Sequence, residues 1–143
     1  MGIRSIVLGA FLAAIAVNSS SATVRIADDR GGQIGSYMRT YAMVRSSGER
    51  VVIDGPCLSA CTLLVGIIPP DRVCVTRRAR LGFHAAWRPD ALGRPHPSAL
   101  GTQVLWQVYP AKVRHWIRRH GGLSPRMIYL HGRELNAMFH PCR

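Results

Sequence analysis

The chain has 143 residues, a one-domain length with room for a real core but short for an elaborated enzyme. Its formal charge of +12 comes from eighteen arginines and a single lysine, Lys112, against seven acids, so a lysine-dependent mechanism has one candidate and anionic envelope components are natural neighbours. The arginines are spread along the chain without a basic block, and no specific nucleic-acid site is expected.

In chain order, residues 1–22 read as a secretory signal peptide. Arg4 supplies the positive start, Ile6 to Val17 is an apolar run, and Ser20 and Ala22 are the small residues of a cleavage site, with cleavage expected after Ala22. The run is about a dozen residues where a spanning helix needs about 20, which argues against a membrane anchor. The mature domain is then 23–143, exported to the periplasm or secreted. Four cysteines, Cys57, Cys61, Cys74 and Cys142, fit an oxidising compartment and disulfides, with three pairings open. Cys142 is placed to tie the tail to the core. The chain has no C-x-x-C pair, and neither a metal site nor a cofactor is expected.

Thr23 to Ala27 alternates as a strand, and Asp28-Asp29-Arg30 leads into Gly31-Gly32. Helical spacing begins at Ile34, through Tyr37, Met38, Tyr41 and Val44, and ends at Gly48. The order then repeats: Val51 to Ile53 as a buried strand, Gly55 to Leu58 as a turn, and a helix from about Ser59 to Ile67 that Pro69-Pro70 ends. Two short strands follow, Arg72 to Val75 and Arg80 to His84. Asp90 to Ser98, rich in proline and glycine, reads as a mobile flap. One helix is expected from about Leu100 to His120, kinked at Pro110, with Leu105, Trp106, Tyr109, Val113, Trp116 and Ile117 facing inward. A short strand, Met127 to Leu130, and a helical turn or two, Glu134 to Phe139, complete an α/β domain with a mostly parallel sheet.

Ser59 is the residue to weigh. A serine where a strand turns into a helix can simply cap that helix. The same position offers unpaired N–H groups and the positive end of the helix dipole, where the oxyanion of an acyl transfer would be stabilised.

Gly31-Gly32 opening one helix, Ser59 opening the next, and His84 25 residues later at a strand end resemble the Clp protease proteolytic subunit of the Clp/crotonase superfamily. D-G-P-C-L-S-A-C-T-L-L-V-G with L-G-F-H-A-A-W is similar, more closely, to its exported uncharacterised bacterial (periplasmic) members. The resemblance spans Val24 to about Phe139. It implies a Clp/crotonase-like fold, Ser59 as nucleophile, His84 as general base, and the N–H groups of Gly32 and Ala60 as the oxyanion hole. It also implies a peptide or acyl substrate and a homo-oligomer. Imidazole is suited to activate a hydroxyl, and each oxyanion donor is worth about 3 kcal/mol in well-studied hydrolases. The family's acid falls near Met127, where no carboxylate stands. Downstream of His84 only Asp90 and Glu134 remain, and Asp29-Arg30-Gly31-Gly32 departs from the family's S-P-G-G. The expected function is an exported serine hydrolase, peptidase-like, with a Ser59-His84 dyad. The alternative is a catalytically silent binding module on the same scaffold.

Overall fold

The computed structural model describes residues 22–143, so the signal-peptide assignment lies outside the described residues apart from Ala22. Alternating Thr23–Ile26 forms β1, and the apolar face of Ile34–Ser47 forms α1, which buries Tyr41 and Val44 and ends on Gly48 in the left-handed conformation (φ 79°). Strand β2, Arg50–Ile53, lies beside β1 with Val51 and Ile53 buried. Beyond Gly55 comes a third strand, β3, Pro56–Leu58, where a turn was expected. Proline is tolerated there because it is the first residue of the strand. The expected helix over Ser59 to Ile67 divides into a 3-10 turn, Ser59–Leu63, and one α turn, α2, Leu64–Ile67.

Strand β4, Val73–Val75, joins β2 in parallel, and β5, Arg80–Phe83, runs parallel to β3. The segment expected to be a flap is a β-hairpin, Trp87–Pro89 (β6) with Pro95–Pro97 (β7). Asp90 folds its turn: the Asp90 N–H donates to Arg94 O, and its Oδ1 accepts from the N–H groups of Leu92 and Arg94 at 2.8 Å each. An aspartate bonding its own downstream backbone is a turn former, which composition alone does not distinguish from loop.

The expected kinked helix is two helices, α3, Ala99–Val108, and α4, Ala111–Arg119, because Pro110 can start a helix but not continue one. Leu105, Tyr109, Val113, Trp116 and Ile117 are buried as expected. Trp106 is only half-buried, with the Arg118 guanidinium 4.9 Å from its ring. Strand β8, Ile128–His131, runs antiparallel to β5, then α5, Gly132–Met138, and a last strand not foreseen in the sequence, β9, His140–Pro141.

Besides the two-stranded β6-β7 hairpin there are two sheets, one fully parallel in the order β1-β2-β4-β9 and the other in the order β3-β5-β8. The fold is mixed α/β with a mostly parallel sheet. Val51, Ile53, Val73, Val75, Leu81 and Phe83 on the strands meet Tyr41, Val44, Leu105, Trp116, Ile117 and Leu135 from the helices in one core. Each large side chain so buried contributes about 1.5–3 kcal/mol of transfer free energy. Disulfides join Cys57 to Cys61 and Cys74 to Cys142, and the second does tie the tail to the core. No helix among the described residues is long and apolar enough to cross a membrane.

Candidate active site

The parallel register of β3 and β5 sets Leu58 opposite Gly82. The residues just past those strand ends therefore share one edge of the sheet, which is where Ser59 and His84 lie. Ser59 does not cap the helix: the N-cap position falls on Leu58, and Ser59 is the first residue of the turn. Its hydroxyl Oγ stands 2.8 Å from His84 Nε2. Its backbone has φ 56°, and it is the one non-glycine among the described residues in the left-handed region, at a cost of about 1–2 kcal/mol for an L-residue.

The surroundings offset that cost. Cys57 and Cys61 are bonded across the turn. The Thr62 hydroxyl donates to Ser59 O at 2.6 Å and lies 2.7 Å from Tyr109 Oη, while Tyr41 donates to Cys61 O at 3.0 Å. Burial pushes the Tyr109 hydroxyl up to about 12, so it stays protonated in this apolar layer. Thr62, Tyr41 and Tyr109 support the site and carried no signal in the sequence beyond their apolar spacing.

His84 Nδ1 lies 2.7 Å from the carbonyl oxygen of Ala85, whose own N–H donates to Ser124 O at 2.8 Å. A carbonyl can only accept, so Nδ1 carries the proton and Nε2 is left to accept from Ser59. The cavity beside His84 that holds Met127, the position the resemblance implies for an acid, is lined also by Pro125. Neither carboxylate proposed from the sequence serves His84. Asp90 is committed to the hairpin, where the Arg94 N–H and guanidinium hold its carboxyl below the usual range. Glu134 lies 3.9 Å from His120 Nε2, at the far end of β8. Asp90 is thus held by the hairpin's own backbone, and Glu134 faces the side chain of His120.

One acid does shape the site, from the other side. Asp29 Oδ1 accepts from the Gly31 N–H at 2.8 Å and from the Tyr37 hydroxyl at 2.6 Å, while its backbone exchanges bonds with Pro56 and Leu58 at 2.8 Å. Burial, with Asp29 beside it, pushes the Tyr37 hydroxyl up to about 12. An aspartate two residues before a glycine is the pattern that could have revealed this turn. Gly31 has φ 84°, and a Cβ there would stand 2.5 Å from Leu58 O and 2.6 Å from Ser59 Cβ. Only glycine lets the loop lie against the serine turn. Gly32 and Ala60 line the same cavity as Ser59 and His84. The Gly31 N–H is taken by Asp29, the Gly32 N–H has no acceptor among the described residues, and Ala60 opens a helical turn, where the first N–H groups lack intrahelical partners.

Among solved structures the chain is similar to a ClpP1 mutant from Listeria monocytogenes, at 14% identity and a TM-score of 0.48, over 82% of this chain and 70% of that one. No family model matches the chain, and no curated protein matches it.

The serine and histidine line a cavity of about 580 Å³ together with Ile34, Ala86, Leu105, Arg30 and Arg88. A second cavity of about 600 Å³ lies on the other side of His84, between the hairpin and Met127. All four cysteines are in disulfides, and no group of three or more histidine, cysteine, aspartate or glutamate side chains that could hold a metal occurs among the described residues.

Proposed function

We propose that the chain is an exported serine hydrolase, peptidase-like, in which Ser59 is the nucleophile, His84 the general base, and the N–H groups of Gly32 and Ala60 the oxyanion donors. The observation that carries this reading is the 2.8 Å approach of Ser59 Oγ to a histidine nitrogen whose partner nitrogen is fixed on a backbone carbonyl. His84 Nε2 takes the hydroxyl proton as Oγ bonds to the substrate carbonyl carbon, and the carbonyl π pair becomes the oxyanion. Collapse expels the leaving amine or alkoxide, which takes the proton back from His84. Water, deprotonated by the same histidine, then releases the acid and restores Ser59.

Replacing a triad aspartate by asparagine costs about four orders of magnitude because it selects the wrong tautomer. The Ala85 carbonyl selects the right one, so what is missing here is only the carboxylate's charge opposite the imidazolium. Export is supported by the residue pattern of 1–22 and by the two disulfides.

The second reading, a silent binding module, is favoured by one observation, the absence of a carboxylate beside His84. A fluorophosphonate probe on the purified 23–143 protein with intact disulfides separates the two. It should label Ser59, Ser59→Ala should abolish labelling, and His84→Ala should slow it by at least a hundredfold, the usual contribution of a general base. No labelling of folded protein, beside a labelled control hydrolase, would leave the binding module.

A further inference from the structure

The cavity at Ser59 has a charge that the hydrolysis itself does not use. Its lining includes Arg30 and Arg88 and no carboxylate. Arg30 is partly answered by Asp28, 3.0 Å from its Nε. In the hairpin, Asp90 is engaged by Arg94 at 2.8 Å and by His96 at 3.3 Å, which leaves Arg88 on β6 without an acceptor among the described residues. The same lining includes aliphatic Ile34, Ala86 and Leu105. That part is closely packed: a Cβ on Gly101 of α3 would come within 2.8 Å of Ala86 Cβ and 3.4 Å of Ile34 Cδ1. A cavity that combines aliphatic surface with an unanswered guanidinium fits a side chain with a short methylene stem and a carboxylate end.

We propose that the substrate is an acidic peptide, with a glutamate-like side chain next to the scissile carbonyl, lying over Ile34 and Leu105 and read by Arg88. The proposal rests on the hydrolase reading above and adds the substrate class. Guanidinium and carboxylate can pair through two parallel hydrogen bonds, and a lysine side chain in the same place would meet like charge. Arg88 is exposed, so solvent screens the pair and the preference is less than fivefold.

The test uses two peptidyl phosphonates that differ only in carrying glutamate or lysine beside the phosphorus, with a small uncharged fluorophosphonate as reference. The glutamate probe should label Ser59 about threefold faster than the lysine probe. Arg88→Gln should bring the ratio towards one, Arg88→Glu should invert it, and raising salt from 50 to 500 mM should shrink it in the native protein. A native ratio of one, or an unchanged ratio in Arg88→Glu, overturns the proposal. If the uncharged probe also fails to label, the hydrolase reading falls separately. The charge preference is then read from fluorescence anisotropy of the two peptides as free ligands, and equal binding overturns it.

Discussion

The two disulfides divide the molecule into a part that needs holding together and a part that needs holding in place. Cys74–Cys142 spans 68 positions and fastens β9 and the tail beside β4, where the Cys142 N–H also donates to Val75 O at 3.0 Å. Cys57–Cys61 spans four positions and encloses Ser59 at the end of β3. In the chain-entropy account the long loop is worth about 4 kcal/mol and the short one about 2 kcal/mol, since the closure term grows with the logarithm of length. The weaker staple sits on the one serine among the described residues with left-handed backbone, over a buried network of Thr62, Tyr109 and Tyr41. Its value lies in local geometry more than in global stability, and the two bonds should fail differently.

The largest effect belongs to the long loop. In a Cys74→Ala/Cys142→Ala variant the folded state should lose about 4 kcal/mol, and thermal unfolding should move down by on the order of 15 °C for a domain of this size. Ser59 labelling measured well below that transition should stay within twofold, because this bond joins β4 to the tail and includes no residue of the serine turn. Collapse of labelling in protein that is still folded would erase the distinction between the two regions.

The short loop should show the reverse. Cys57→Ala/Cys61→Ala should cost about 2 kcal/mol of stability yet slow Ser59 labelling about tenfold, the population penalty that follows when a left-handed serine is free to relax. Mild reduction of the native protein should produce the same loss and reoxidation should restore it. Labelling that is indifferent to the Cys57–Cys61 bond would place the control of Ser59 in Thr62 and Gly31 alone.

This difference explains what could be read from the sequence. Strands β1, β2, β4 and β5 and helix α1 were legible because each carries its own period, and Gly48 marks the end of α1 where only a residue tolerant of φ 79° serves. Ser59 and His84 were found through order and spacing, but their meeting depends on the pairing of β3 with β5, and β3 is three residues that look like a turn. The left-handed serine could not be read at all, because serine does not prefer that conformation and only tertiary contacts impose it. The hairpin of β6 and β7 was hidden by its composition, since four of its residues 87–97 are proline or glycine and the decisive feature is which backbone groups Asp90 binds. The acid that the site does use, Asp29, carries no triad signal in the sequence because it precedes the glycines and serves their loop, upstream of both the serine and the histidine.

The smallest effect concerns the junction between the two regions, at Asp54. Its carboxylate is buried at the end of β2, two residues before β3, and accepts from Thr76 at 2.8 Å and from the guanidinium groups of Arg25 and Arg78. Those bonds, that from Arg78 foremost, hold it well below the ordinary carboxylate value. A carboxylate depressed in the folded state contributes stability that is fully present above its unfolded value of about 4 and is lost as pH falls through the folded value. Both arginines are largely exposed, so solvent screens part of the interaction and the change is modest. The unfolding temperature should therefore decline from pH 5 to pH 3, and Asp54→Asn should decline less steeply over that range while starting lower at pH 7. Because β2 reaches Cys74 on one side and the chain reaches Cys57 on the other, loosening Asp54 should weaken both regions together. In the two disulfide variants the acid limb should keep the slope of the parent protein. A slope that steepens in only one of them would show that Asp54 belongs to that region and does not join the two.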